Sequence, residues 1–176
     1  MTRRVPSTLP KGIMKKISDH LKWVDEPFDK KTVGKLKADV VYTSGKKGTK
    51  GKYLYTTDSK GRLSTAHAHP LVLDKTKRAN HAGNPAGKKP GDHAGHIFGD
   101  IFGGSPKLDN IVAQTSHNNL SKIKKLENNW AKELGKTPPS DVKVDVKVLY
   151  GSGGRPVGFQ VDEMINGVPT RHNIRN

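Results

Sequence analysis

GDHAGHIFGDIFGG at residues 91–104, NIVAQ at 110–114 and NLSKIKKLENNWAKEL at 119–134 form the stretch on which the reading of this chain turns. In the first segment glycines interleave with apolar residues. Asn110-Ile111-Val112-Ala113-Gln114 reads as a short strand. Residues 117–134 are the best helix in the chain. On a helical wheel, Leu120, Ile123, Leu126, Trp130 and Leu134 form one apolar stripe, with Lys122, Lys124, Lys125 and Lys132 elsewhere. Glu127 breaks that pattern: it lies four residues from Ile123 and three from Trp130, so it projects into the stripe. Asn119 falls on the same side at the helix start. A carboxylate on an apolar face is costly without a partner. Two readings follow, a buried Glu paired with an arginine and a carboxylate beside a metal.

Upstream, residues 1–11 are polar with Pro6 and Pro10, and read as a flank. Ile13, Ile17, Leu21 and Val24 recur at helical spacing and predict a short helix. Strands are expected at 39–42, at 53–57, beyond a 58–61 turn at 62–65, and at 71–73. Residues 74–91 carry no apolar periodicity and form a long loop, either disordered or functional. Downstream, VKVDVKVLY at 142–150 alternates strictly and is a strand, with partners over 157–165 and 168–173. Strands, a loop-strand-helix unit and more strands make an α+β class, with residues 1–35 as a flank carrying a short helix and 36–176 as one domain.

Composition narrows the partners. Lys and Arg total 32 against 16 Asp and Glu, a net charge of +16, which favours a polyanion, nucleic acid first. No cysteine is present, which removes disulfides, thiolate zinc and cysteine catalysis. No apolar run approaches the roughly 20 residues of a membrane span. An export address is not evident either, so if the protein is exported the address is expected on a longer parent chain.

Eight histidines are present. His93 and His96 lie in Asp92-His93-Ala94-Gly95-His96, a spacing that is weak alone. The wider order is specific: this DHAGH is followed 14 residues after His96 by NIVAQ, then by Asn119, with Glu127 eight residues later inside LENNW. That series resembles the DNA/RNA non-specific endonucleases, the ββα-metal or His-Me finger nucleases, and most of all their bacterial polymorphic-toxin branch. YLYTTDSKGRL at 53–63 resembles the strand-turn-strand that precedes the motif there. The arginine of the family's usual DRGH is absent, since His93 and Ala94 take the middle positions.

The resemblance implies a ββα-metal finger packed on a mainly antiparallel sheet. It implies His96 as general base, Asn119 as direct metal ligand and Glu127 as ligand through a metal-bound water. An arginine near the scissile phosphate is also implied; Arg78 is preferred over Arg62 because it sits in the long loop. Asp92, Gly95 and Asn110 are expected to support the motif. Mg²⁺ is the expected ion, with Mn²⁺ or another divalent ion able to substitute. The expected reaction is phosphodiester hydrolysis leaving 5′-phosphate ends, without sequence preference. Arg62, Lys88 and Lys89 are expected to grip the nucleic-acid backbone, with Lys46-Lys47, Lys50 and Lys52 as a further basic strip. A toxin of this branch is secreted by its producer, acts in a target cell cytoplasm or extracellularly, and needs an immunity protein, expected to be acidic. Two other classes compete: a metal-independent ribonuclease using paired histidines, and a noncatalytic basic nucleic-acid-binding module. His67 and His69 alternate on an expected strand and face one side, which allows a second metal site.

Overall fold

The computed structural model describes residues 13–176; the polar flank expected at 1–11 lies outside them. Among the described residues nine strands are present: β1 (Lys22–Trp23), β2 (Val40–Ser44), β3 (Tyr53–Thr57), β4 (Leu63–Ala68), β5 (Asp92–His96), β6 (Ile111–Thr115), β7 (Val142–Tyr150), β8 (Pro156–Ile165) and β9 (Val168–Arg175). Seven form one sheet in the order β1-β2-β3-β4-β7-β8-β9, antiparallel except for β1 on β2. The hairpin β5–β6 stands apart and leads into a π-helical turn (Asn118–Lys122) and helix α1 (Ile123–Leu134). The fold is α+β, with this ββα unit packed on the sheet.

Strand alternation explains the packing. Tyr42, Tyr55, Ala66, Val144, Val146, Phe159 and Val161 join Phe98, Phe102, Val112 and Trp130 of the ββα unit in one buried core. The apolar alternation of 142–150 is thus a strand buried on one face, as the sequence implies. Three tyrosines add directional bonds to that burial. The Tyr42 hydroxyl donates to the Asp109 carbonyl at 2.6 Å, that of Tyr55 to Asn110 Oδ1 at 2.8 Å, and that of Tyr53 to the Phe102 carbonyl. The sheet therefore grips the 97–110 connection by both contact area and hydrogen bonds. The β8–β9 hairpin turns on Asn166 and Gly167, both with positive φ (48° and 82°), the backbone that a two-residue turn of this twist requires.

Three local expectations are corrected. The helical spacing of 13–24 resolves into a single 3₁₀ turn (Ile13–Lys16) and the short strand β1. Ile13 packs with Val41 and Leu54, and Ile17, Leu21 and Trp23 pack against them, so the periodic residues cover the sheet without a helix. An isolated helix of this length is marginal, and strand pairing with β2 wins. Leu71–Leu73 is not a strand: Pro70 has no N–H to continue a ladder, and Leu71 makes one backbone bond to Val142 while burying its side chain. Leu120 is 66% exposed rather than in the apolar stripe, because the helix begins with a π turn that shifts the register of its first residues.

The 74–91 loop is anchored. Ala79 N–H donates to Asp100 Oδ1, Asp74 N–H to the Ile101 carbonyl and Ala82 N–H to the Pro106 carbonyl. Lys46, expected on a phosphate-gripping strip, is instead buried, with Nζ 3.0 Å from Asp100 Oδ1 and also donating to the Lys77 carbonyl. A buried ammonium needs such a partner, and the pair ties the loop to the finger.

Candidate active site

His96 ends β5, and residues on either side of it in the chain lie near the two residues singled out on the helix. Three residues before it, His93 Nδ1 accepts a hydrogen bond from Asn119 Nδ2 at 3.1 Å, which leaves Asn119 Oδ1 free of any hydrogen bond among the described residues. Three residues after it, Gly99 lies under Glu127: a side chain there would come within 3.1 Å of Glu127 Oε1. Gly95 is required for a different reason. The buried Gln114 amide packs flat on it, so a Cβ would stand 2.1 Å from Gln114 Cδ. Gln114 Nε2 then donates to the His96 carbonyl at 3.3 Å and fixes the strand end.

Asn110 is fully buried and saturated. Its Oδ1 accepts from Tyr55 and from Phe98 N–H, and its Nδ2 donates to the carbonyls of Phe98 and Ser105. It shapes the turn between the two hairpin strands and has no capacity left for a metal. Asp92 receives both forks of Arg155, at 2.7 and 2.9 Å, and those hydrogen bonds hold its carboxyl down at about 2. Asn118, the neighbour of Asn119, is buried and donates to the Arg175 carbonyl.

The electrostatics separate two groups. Burial, and then the neighbouring His81, depress the His96 imidazole to about 4, so it is neutral at physiological pH. Burial raises the Glu127 carboxyl to about 6, against the lowering pull of Lys124 and Arg78. Glu127 makes no hydrogen bond or ion pair among the described residues, so the arginine-paired reading of this carboxylate is not the one the structure adopts. Arg78 is exposed and its charge bears on both His96 and Glu127. With Ala79, Asn80 and His81 it lines an open depression.

Arg62 is elsewhere. Its Nε meets Asp58 at 2.7 Å, its Nη1 donates to the carbonyls of Gly151 and Gly153, and its guanidinium lies 4.4 Å over the Tyr150 ring. It braces two turns against each other. Lys88 and Lys89 are exposed in the long loop. Sequence reasoning gave no role to His81 or His93. His81 stands edge-on to His96 with ring centroids 5.0 Å apart. His93 had a signal in the HxxH spacing, whereas His81 becomes adjacent only through the loop's path.

A neutral amide oxygen without a partner and a half-buried, unpaired carboxylate suit a hydrated divalent cation that keeps most of its waters. Such an ion would relieve the carboxylate's burial penalty, which no side chain here does.

A finger that carries an imidazole on its hairpin and an amide and a carboxylate on its helical segment has the parts of a nuclease of the ββα-metal type. The chain belongs to the DNA/RNA non-specific endonuclease family, whose model matches residues 42–167. The type VII secretion system protein EssD of Staphylococcus aureus, in strains USA300 and NCTC 8325, is 35% identical over 150 residues, 80% of this chain. The chain spans 23% of the length of those relatives. Among solved structures, NucA from Streptococcus agalactiae with magnesium bound is similar with a TM-score of 0.55 and 19% identity, over 80% of this chain and 74% of that one. Sda1 nuclease with bound zinc is similar at 0.55 and 13% identity, over 77% and 83%. These two likenesses are of fold.

Proposed function

We propose that this chain is a sequence-nonspecific endonuclease that hydrolyses phosphodiester bonds in DNA, RNA or both, with His96 as general base and Mg²⁺ at Asn119 and, through water, at Glu127. The observation that carries this reading is Glu127: a carboxylate raised to about 6 by burial, unpaired, on the helix that also carries Asn119. When bound, the cation supplies charge neutralisation at the phosphate and at the leaving 3′ oxygen. The remaining work falls to side chains. His96 has no hydrogen bond on either ring nitrogen among the described residues, so a lone pair is open to take a proton from water. A phosphodiester anion beside it would offset part of the burial penalty and strengthen it as a base. Arg78, exposed at the depression, receives a phosphate oxygen, and Lys88 and Lys89 extend the positive surface along the backbone. Attack by water with departure of the 3′ oxygen leaves 5′-phosphate ends.

The motif's resemblance to the toxin branch, together with similarity to a type VII secretion system protein, supports the reading that the chain acts as the toxin part of a secreted bacterial effector, in a target cell or outside the producer, and is restrained by an acidic immunity protein. The +16 charge supports that partner's sign. The test is incubation of supercoiled DNA and structured RNA with and without Mg²⁺ and excess chelator. Cleavage of either that needs the ion supports the reading. RNA-only cleavage that ignores chelator would replace it by the paired-histidine ribonuclease, for which the His81–His96 pair is the motivating feature. Binding without degradation under every ion would leave a noncatalytic module.

A further inference from the structure

The sheet face opposite the finger carries a cluster that phosphodiester chemistry does not use. Residues Leu54, His67, Asp145, Asp162 and Arg171 are directly paired across β3, β4, β7, β8 and β9, and so share one face. Their strand neighbours Ala66 and Val146, also paired, point into the core under the finger. On the far face, His67 Nδ1 lies 2.6 Å and His69 Nε2 lies 2.8 Å from the same oxygen, Asp145 Oδ1. The three ligand atoms all fall within 4.8 Å of one another, the single such group of His, Asp and Glu among the described residues. His67 is buried, and His69 and Asp145 are half-buried.

We propose that His67, His69 and Asp145 form a second metal site for a zinc-class divalent ion, independent of the catalytic centre. Two imidazole nitrogens and a carboxylate oxygen are the donor set of a three-ligand zinc site, with water in the fourth position. Imidazole-rich sites select zinc and its transition-metal neighbours over Mg²⁺. The outer partners are already in place. Thr65 Oγ1 is 3.1 Å from His67 Nε2, which holds the ring with Nδ1 turned to the cluster. Lys16 Nζ holds the other carboxylate oxygen, Asp145 Oδ2, at 2.6 Å. Replacing the two shared protons by an ion bonded at about 2.0–2.1 Å would widen each N–O separation to about 3.3 Å, an adjustment of roughly half an ångström. The ion would clamp β4 to β7 and, through Lys16, the 3₁₀ turn to the sheet. On this account the chain holds two different metals for two purposes, one on each face.

The test uses the purified chain, stripped with chelator, dialysed and titrated with zinc chloride. Bound metal is measured by elemental analysis, ligand geometry by the visible absorption of the Co²⁺ form, and stability by thermal melting. The wild type and Asn119→Ala should each retain one equivalent of zinc, with tetrahedral Co²⁺ absorption and a zinc-dependent rise in Tm. His69→Ala and His67→Gln should lose that equivalent and that rise, while Mg²⁺-dependent cleavage and the far-ultraviolet circular dichroism of His69→Ala stay at wild-type levels. The far-ultraviolet circular dichroism of His67→Gln, a polar replacement of similar size, checks that a loss of zinc there is not a loss of fold. No zinc retained by the wild type, or unchanged stoichiometry in both histidine variants, overturns the site and leaves a hydrogen-bonded His-Asp-His cluster. Either result leaves the nuclease reading untouched.

Discussion

Glu127→Gln is expected to stabilise the metal-free protein while removing its activity. Burial raises this carboxyl from 4.5 to about 6, and no partner among the described residues offsets the penalty. A shift of about 1.5 units corresponds to about 2 kcal/mol of folding free energy lost at pH 8, where the carboxylate is charged in both states. The neutral amide escapes that penalty. At this chain length, 2 kcal/mol amounts to roughly 4–8 °C in Tm. The sign follows from proton counting. The folded state binds the proton more tightly than the unfolded one, so the penalty is full above the folded value near 6, shrinks as pH falls through it, and is gone below 4.5. The assay is thermal melting in chelator at pH 8 and at pH 4.5, then at pH 8 with saturating Mg²⁺. The variant should melt higher at pH 8, lose that advantage at pH 4.5, and lose ground to the wild type when the ion is added. A lower Tm for Glu127→Gln in chelator at pH 8 would mean that the carboxylate has a folded-state partner, and the metal argument built on its isolation would fail.

Further predictions concern the neighbours. Cleavage at limiting Mg²⁺ should decline below about pH 6, as Glu127 is protonated, while His96, at about 4, stays neutral; raising Mg²⁺ should move that limb to lower pH, and a limb fixed at any ion concentration would contradict this. Arg78→Ala should cut cleavage by roughly 10²-fold with Tm unchanged, whereas Arg62→Ala, which loses Asp58, Gly151 and Gly153, should lower Tm and spare turnover. Asn110→Ala leaves the Phe98 and Ser105 backbone groups and the Tyr55 hydroxyl unpaired in the core, and urea unfolding should show a loss of roughly 3–5 kcal/mol.

Much of this architecture was legible because its cause is local. The alternation of 142–150, the turn at 58–61 and the periodicity through Trp130 each dictate an element by themselves. Glu127 was legible because it violates the pattern of its own helix. What escaped depends on tertiary context. Residues 13–24 carry a helical period, yet only a 3₁₀ turn forms at Ile13–Lys16, and pairing with β2 draws Lys22–Trp23 into a strand. The expected lysine strip loses Lys46 because Asp100, 54 residues away, captures it. No spacing rule brings His81 against His96, or Asp145 against His67 and His69; the first needs the path of a long loop and the second the register of β4 on β7.

The central claim is that the imidazole of His96 and a cation held at Asn119 serve one phosphodiester. The most direct measurement compares initial plasmid-nicking rates of His96→Ala, Asn119→Ala and the double variant at saturating Mg²⁺. Groups acting as a unit on one bond give non-additive losses, so the double variant should be no slower than the worse single variant, within a few-fold. Losses that multiply, or either single variant cutting at the wild-type rate, would show that the two side chains do not share a reaction.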